Sequence, residues 1–173
     1  MTLAERIEKF NNLMGDIVPP EVKKDLLEKG FFTAPASTKY HGNYEGGLFD
    51  HSYMVARYLK KLTEDCRLDW QNPRSPLLVG MFHDLCKMDN YILLDGHYEY
   101  ETDTLLKGHG DKSVMVLAQY FKLTEEEIMC IRYHMGAFCD KSEWNDYTRA
   151  VHKYTNVLWT HQADMLASHV EGV

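Results

Sequence analysis

The sequence predicts an all-α fold carrying one small β-hairpin. Apolar residues recur at helical spacing along most of the chain, and proline and glycine mark the ends of several of those stretches. The period drops to two only around Asp95-Gly96. Residues 3–16 form an amphipathic segment that Pro19-Pro20 stops. Pro20, whose fixed φ suits a first helical position, opens a short helix through PEVKKDLLEK, and Gly30 closes it. Residues 31–47, FFTAPASTKYHGNYEGG, read as a long polar and aromatic loop, and loops of that length inside compact domains are usually functional. From Leu48 to Thr63, the residues Leu48, Met54, Val55, Tyr58, Leu59 and Leu62 fall on one helical face. Ser75-Pro76 opens a buried helix over 75–88, which holds His83 and Asp84.

YILLDGHYEYE, near 91–101, places Asp95-Gly96 between two short aromatic and β-branched runs, which is a hairpin signal. Helices follow over 110–121 and 124–134, the second opened by Thr124 and three glutamates. The loop GAFCDKSEWND then leads into a long last helix over 146–170. No linker divides the chain, so residues 1–173 are expected to form one domain.

Apolar residues make up 45% of the chain, which excludes a disordered protein. No apolar run approaches the ~20 residues that cross a bilayer. The start, MTLAERIEKF, is amphipathic and charged without the apolar core of a secretion signal. A soluble cytoplasmic protein with no membrane partner is expected. Cys66, Cys86, Cys130 and Cys139 lack CxxC spacing and read as reduced, mostly buried thiols. A net charge of −7 argues against strong non-specific nucleic-acid binding, which rests on phosphate neutralisation by Lys and Arg. It suits a small anionic substrate captured by metal. Nothing in the pattern sets an oligomeric state.

His83 and Asp84 are adjacent inside the apolar run LLVGMFHDLCKM. Burying both costs several kcal/mol unless partners satisfy them. A divalent cation would do so directly, because imidazole nitrogen and carboxylate oxygen are both ligands. The bland alternative is a core histidine paired with its neighbour, or a helix cap. Further candidates lie on other helices: His51, His109, His134 and Asp164. If those helices pack around one core, the four imidazoles and two carboxylates can hold two metal ions with a bridging carboxylate and a bridging water. The sulfur-free set suits Mn, Fe, Mg, Co or Zn.

The order H…HD…H…H…D resembles the HD-domain superfamily of metal-dependent phosphohydrolases, whose fold is an all-α helical bundle. The local context carries the resemblance over residues 40–170. YHGNYEGGLFDHSYMVARYL resembles the family's G-G-L-x-x-H-[ST] helix start, and HDLCK its H-D-[IL]-G-K. LLKGHGDKSV resembles the turn with G-H before a small-residue helix. IRYHMGAF resembles the stretch with the fourth histidine, and THQADMLAS the closing H-x-A-D-x-L. The subgroup most similar is the HD module of YhaM-type 3′–5′ exoribonucleases and of stand-alone HD phosphohydrolases. Cys86 stands where the family usually has glycine, and nothing in these residues is expected to supply the exoribonucleases' additional nucleic-acid-binding module.

The resemblance implies metal ligands at His51, His83, Asp84, His109, His134 and Asp164, with Asp84 as the bridge. It implies catalytic roles for Asp84 and Lys87, the latter contacting substrate phosphate or the nucleophile from one helical turn beyond His83. The expected activity is hydrolysis of a phosphomonoester or phosphodiester, a nucleotide or related small metabolite. Two other readings use the same ligands: a di-iron oxygenase similar to myo-inositol oxygenase, and a nucleotide-binding module without turnover. His161 shares a face with Asp164 and is either a support for the site or an ordinary packing residue. Lys107 and Lys112 read as a solvated face, and His41, His97, His152 and His169 as surface. The aromatic residues of 31–44 either wall a substrate pocket or plug the core.

Overall fold

The structure, a computed structural model, describes residues 1–173 and contains eight α-helices with one two-stranded antiparallel sheet. α1 (Leu3–Met14) is opened by a reciprocal cap in which Glu5 N–H donates to Thr2 Oγ1 and Thr2 N–H donates to Glu5 Oε2. It buries Phe10 and Met14, and α2 (Pro20–Glu28) buries Val22 and Leu26. The loop after α2 begins in the core. Phe31 and Phe32 pack with Phe10, Phe49 and Phe82, mostly edge-to-face, with centroids such as Phe10–Phe32 at 5.3 Å. The loop thus divides its aromatics: its phenylalanines plug the core, while Tyr40 and His41 line a cavity.

α3 (Gly47–Cys66) runs through the centre, flanked by α4 (Ser75–Phe82) and α8 (Asn156–Leu166). Gly80 makes the α3–α4 approach possible, since a Cβ there would lie 2.5 Å from Ala56 Cα. α5 (His109–Leu117) meets α6 (Glu125–Arg132) as closely, because a Cβ on Gly110 would lie 2.2 Å from the Arg132 carbonyl. α6 starts with a second reciprocal cap, Thr124 with Glu127. Buried Glu127 also accepts from Ser75 Oγ at 2.9 Å, so this cap ties α6 to the start of α4. α7 (Trp144–Lys153) lies outside, with Ala150 its one buried residue. The hairpin pairs β1 (Tyr91–Leu94) with β2 (His97–Tyr100), and Asp95 and Gly96 both take positive φ at the turn. No helix is long and apolar enough to cross a membrane.

Two expected helices are broken. The helix expected over 75–88 ends at Phe82; His83 and Asp84 form a turn, and Leu85–Met88 is a 3₁₀ helix. Adjacent residues of an unbroken helix point about 100° apart. The break lets both side chains face one centre. The helix expected over 146–170 is also two, α7 and α8, because Tyr154 leaves helical geometry at φ −132° and ψ 92°. Its last turns, Ala167–Glu171, widen into a π-helix. Asn156 anchors the new start by donating from Nδ2 to Asp69 O and to Glu126 Oε1. α8 then enters the core through Val157, Thr160 and Ala163.

Candidate metal centre

The glycine pair before α3 sets the position of His51. Gly46 has φ +82°, and a Cβ there would lie 2.1 Å from Arg6 Cζ, while a Cβ on Gly47 would lie 1.9 Å from the Gly42 carbonyl. No side chain fits at either place, so the loop closes tightly on the helix start. Arg6 fills the space beside Gly46 and donates to both Asp50 oxygens, at 2.9 and 3.3 Å, and to the Glu45 carbonyl. Tyr44 OH also donates to Asp50. The first turn of α3 is thereby pinned, with His51 fully buried behind it.

Six side chains from five parts of the chain converge. Their ligand atoms form three overlapping triads: His51, His83 and Asp84; His83, His134 and Asp164; Asp84, His109 and His134. The first and third share only Asp84. Its Oδ2 faces His51 Nε2 at 3.6 Å and His83 Nε2 at 3.5 Å, while its Oδ1 faces His109 Nε2 at 2.8 Å and His134 Nε2 at 3.4 Å. Asp164 Oδ1 lies 3.2 Å from His51 Nε2.

The residues fit divalent metal on their own chemistry. His51, His83 and His134 each contact a backbone oxygen through Nδ1: the terminal Val173 oxygen and the Gly80 and Ile131 carbonyls, at 2.9, 2.9 and 2.6 Å. A carbonyl only accepts, so Nδ1 is the donor, and in the neutral ring Nε2 keeps the lone pair that a metal would take. His51 Nε2 and His83 Nε2 lie 3.2 Å apart, so with both rings neutral their lone pairs would face each other and a cation between them would relieve the repulsion. His134 Nε2 is buried without a hydrogen-bond partner. Buried polar atoms left this way are rare unless something else satisfies them.

A family model described as the HD domain matches residues 48–158. The chain belongs to the HD-domain family. No curated protein and no solved structure matches it. The HD domain is a helical domain of metal-dependent phosphohydrolases, and its divalent-metal chemistry agrees with the His/Asp cluster.

The electrostatics of this HD domain favour a charged site. Burial pushes the Asp84 carboxyl up, but the Lys87 ammonium and the neighbouring imidazoles outweigh it and hold it well below the usual carboxylate range. Asp164 is likewise held low by His51 against its burial. Lys87, 2.7 Å from Asp84 Oδ2, is raised by that carboxylate despite being buried. Burial lowers His109. At neutral pH both carboxylates are anions and Lys87 is an ammonium.

The centre opens into a cavity of about 650 Å³ whose lining includes Asp84, His109 and Asp164, together with Lys87, Tyr40, His41, Tyr91, Tyr100 and Phe138. Two surface expectations fail here. His41 is not a surface residue: its ring lies 5.0 Å from that of His51, and desolvation lowers its pKa to about 4. Lys112 is not solvated: it is buried and donates to Asp89 Oδ1 at 2.5 Å and to Asn90 Oδ1 at 2.7 Å. That bond turns the Asn90 amide nitrogen away from Lys112, and Asn90 lines the cavity.

His161 Nδ1 donates to the His134 carbonyl at 2.8 Å, which supports the strand of chain carrying that ligand. His97 and His152 are exposed, as is Lys107. His169 is exposed at the cavity mouth, bonded to Ser168. Of the cysteines, Cys86 and Cys130 are buried, Cys139 is half-buried and Cys66 is exposed. Only the order of the chain marked His41: it stands five residues before the glycine pair of α3, in a loop too irregular for periodicity to orient.

Proposed function

We propose that this HD domain hydrolyses a phosphomonoester or phosphodiester, a nucleotide or similar small metabolite, with two divalent ions that Asp84 would help both groups of histidines to hold. The observation that carries this reading is the division of Asp84: one oxygen faces His51 and His83, the other His109 and His134. Asp164 Oδ1, 3.2 Å from His51 Nε2, adds a second carboxylate to the first group. Divalent ions held by these residues would supply Lewis-acid charge and a water of lowered pKa for displacement at phosphorus. The chain's own residues do the rest.

Lys87 directs a buried ammonium at the cavity, where it neutralises charge growing on the phosphoryl oxygens. Its neighbour Asp84 keeps it protonated. The backbone oxygens behind His51, His83 and His134 hold Nδ1 as the donor, so Nε2 is the nitrogen turned toward the metal. Tyr40, Tyr91, Tyr100 and Phe138 supply apolar faces suited to a base or another flat group, and the cavity volume of about 650 Å³ suits a ligand of nucleotide size.

Elemental analysis of purified protein, with His83→Ala and His134→Ala alongside, tests the centre. About two metal equivalents that fall in both variants, together with phosphate release in a phosphoester screen, support the proposal. Redox-active iron as the sole metal, with oxygen consumption and no phosphate release, would replace it with an oxygenase. No histidine-dependent metal after reconstitution would sink it.

A further inference from the structure

Three of the four site imidazoles lean on a backbone carbonyl through Nδ1; His109 does not. Its Nδ1 faces Cys86 Sγ at 3.4 Å. It is also the one imidazole of the four that is only half-buried. The Cys86 side chain is buried, and a thiol sulfur is only a weak acceptor. Cys86 is held in place independently, through its own N–H to Ser113 Oγ at 3.1 Å.

With a metal on Nε2, the His109 Nδ1 must carry the proton and donate. A carbonyl partner strengthens such a ligand by drawing on the N–H, and a thiol draws less.

We propose that Cys86 is a positioning residue that makes the two metal sites unequal. The site formed by Asp84, His109 and His134 takes the second, more loosely held ion, and the Cys86–His109 contact sets how loosely. The inference rests on the binuclear reading above. Its consequence is an enzyme that passes between one-metal and two-metal forms as free metal varies, while the site built on His51, His83, Asp84 and Asp164 stays filled.

Stepwise titration of the metal-free protein with Co²⁺, followed by its visible d–d spectrum, reads both sites without any turnover. Wild type should bind two equivalents with dissociation constants at least tenfold apart. Cys86→Ala removes the acceptor and should weaken the second equivalent by about tenfold, the low end for loss of a ligand's hydrogen-bond partner, while leaving the first unchanged. Cys86→Ser restores an acceptor and should bring the second constant back to within about threefold of wild type. Equal constants in wild type overturn the inference, as does a Cys86→Ala effect spread over both equivalents or absent. Cys86→Ser behaving like Cys86→Ala would assign the effect to packing and overturn it too. Binding of fewer than two equivalents by wild type would instead defeat the binuclear reading itself.

Discussion

Lys87 Nζ lies 2.7 Å from Asp84 Oδ2, the same carboxylate oxygen that faces His51 and His83. The contact exists because α4 stops at Phe82 and the 3₁₀ turn that follows folds Lys87 back over Asp84. A single carboxylate therefore organises both the imidazoles and the only ammonium lining the cavity. Removing that ammonium should separate metal binding from rate.

Lys87→Met keeps the length and packing of the side chain and deletes its charge. We expect kcat on a phosphoester to fall about a hundredfold, the usual loss of one preorganised charge-stabilising donor, with bound metal unchanged. Steady-state kinetics alongside metal analysis checks this. A fall in metal content of the same size would make Lys87 a structural residue only.

Arg6 and Asp50 form a buried ion pair, exposed by 5% and 6%, with the Glu45 carbonyl and Tyr44 as further partners. Arg6→Ala would leave the Asp50 carboxylate buried and uncompensated, at a cost of about 3–5 kcal/mol. Urea denaturation should show that loss of stability. The double variant with Asp50→Asn should recover part of it, because the orphaned charge is then gone.

Gly80 serves twice, as the close contact with Ala56 and as the carbonyl that orients His83. Gly80→Ala should cost about 1–3 kcal/mol through overpacking. The displaced carbonyl should also lower metal affinity. A variant of wild-type metal affinity and reduced stability would uncouple the two roles.

His41 and His109 both have pKa values lowered by burial, that of His41 from 6.5 to about 4. The folded state therefore favours their neutral forms. The unfolded chain binds the proton first as pH falls, so their contribution is complete above about 6.5 and is lost progressively toward about 4. Asp84 and Asp164, held low in the fold, lose their contribution only below the ordinary carboxylate value of 3.8. Urea midpoints of metal-free protein should fall as pH drops from 7 to 4.5, a window that spans most of the His41 shift. The fall should be shallower in His41→Asn. A flat curve would contradict the burial of these histidines.

Much of the fold was legible in the residue order because its signals are local. Thr124 with Glu127 marks a helix start through a bond three residues long, and Asp95-Gly96 marks a turn because both residues adopt positive φ. The six candidate ligands were also legible, since each sits in a short segment whose neighbours carry the family pattern. By itself, then, the sequence determined an all-α domain with a hairpin, and the types of side chain offered to a metal. Tertiary structure alone decided that α4 breaks at His83, that α8 begins anew at Asn156, that Lys112 is buried and that His41 joins the cavity. The last three depend on partners 10 to 87 residues away: Asp69 for Asn156, Asp89 for Lys112 and His51 for His41. Helical periodicity says which face a side chain occupies. It carries no information about which distant carbonyl or carboxylate that face will meet, and it is those meetings that set burial, tautomer and charge.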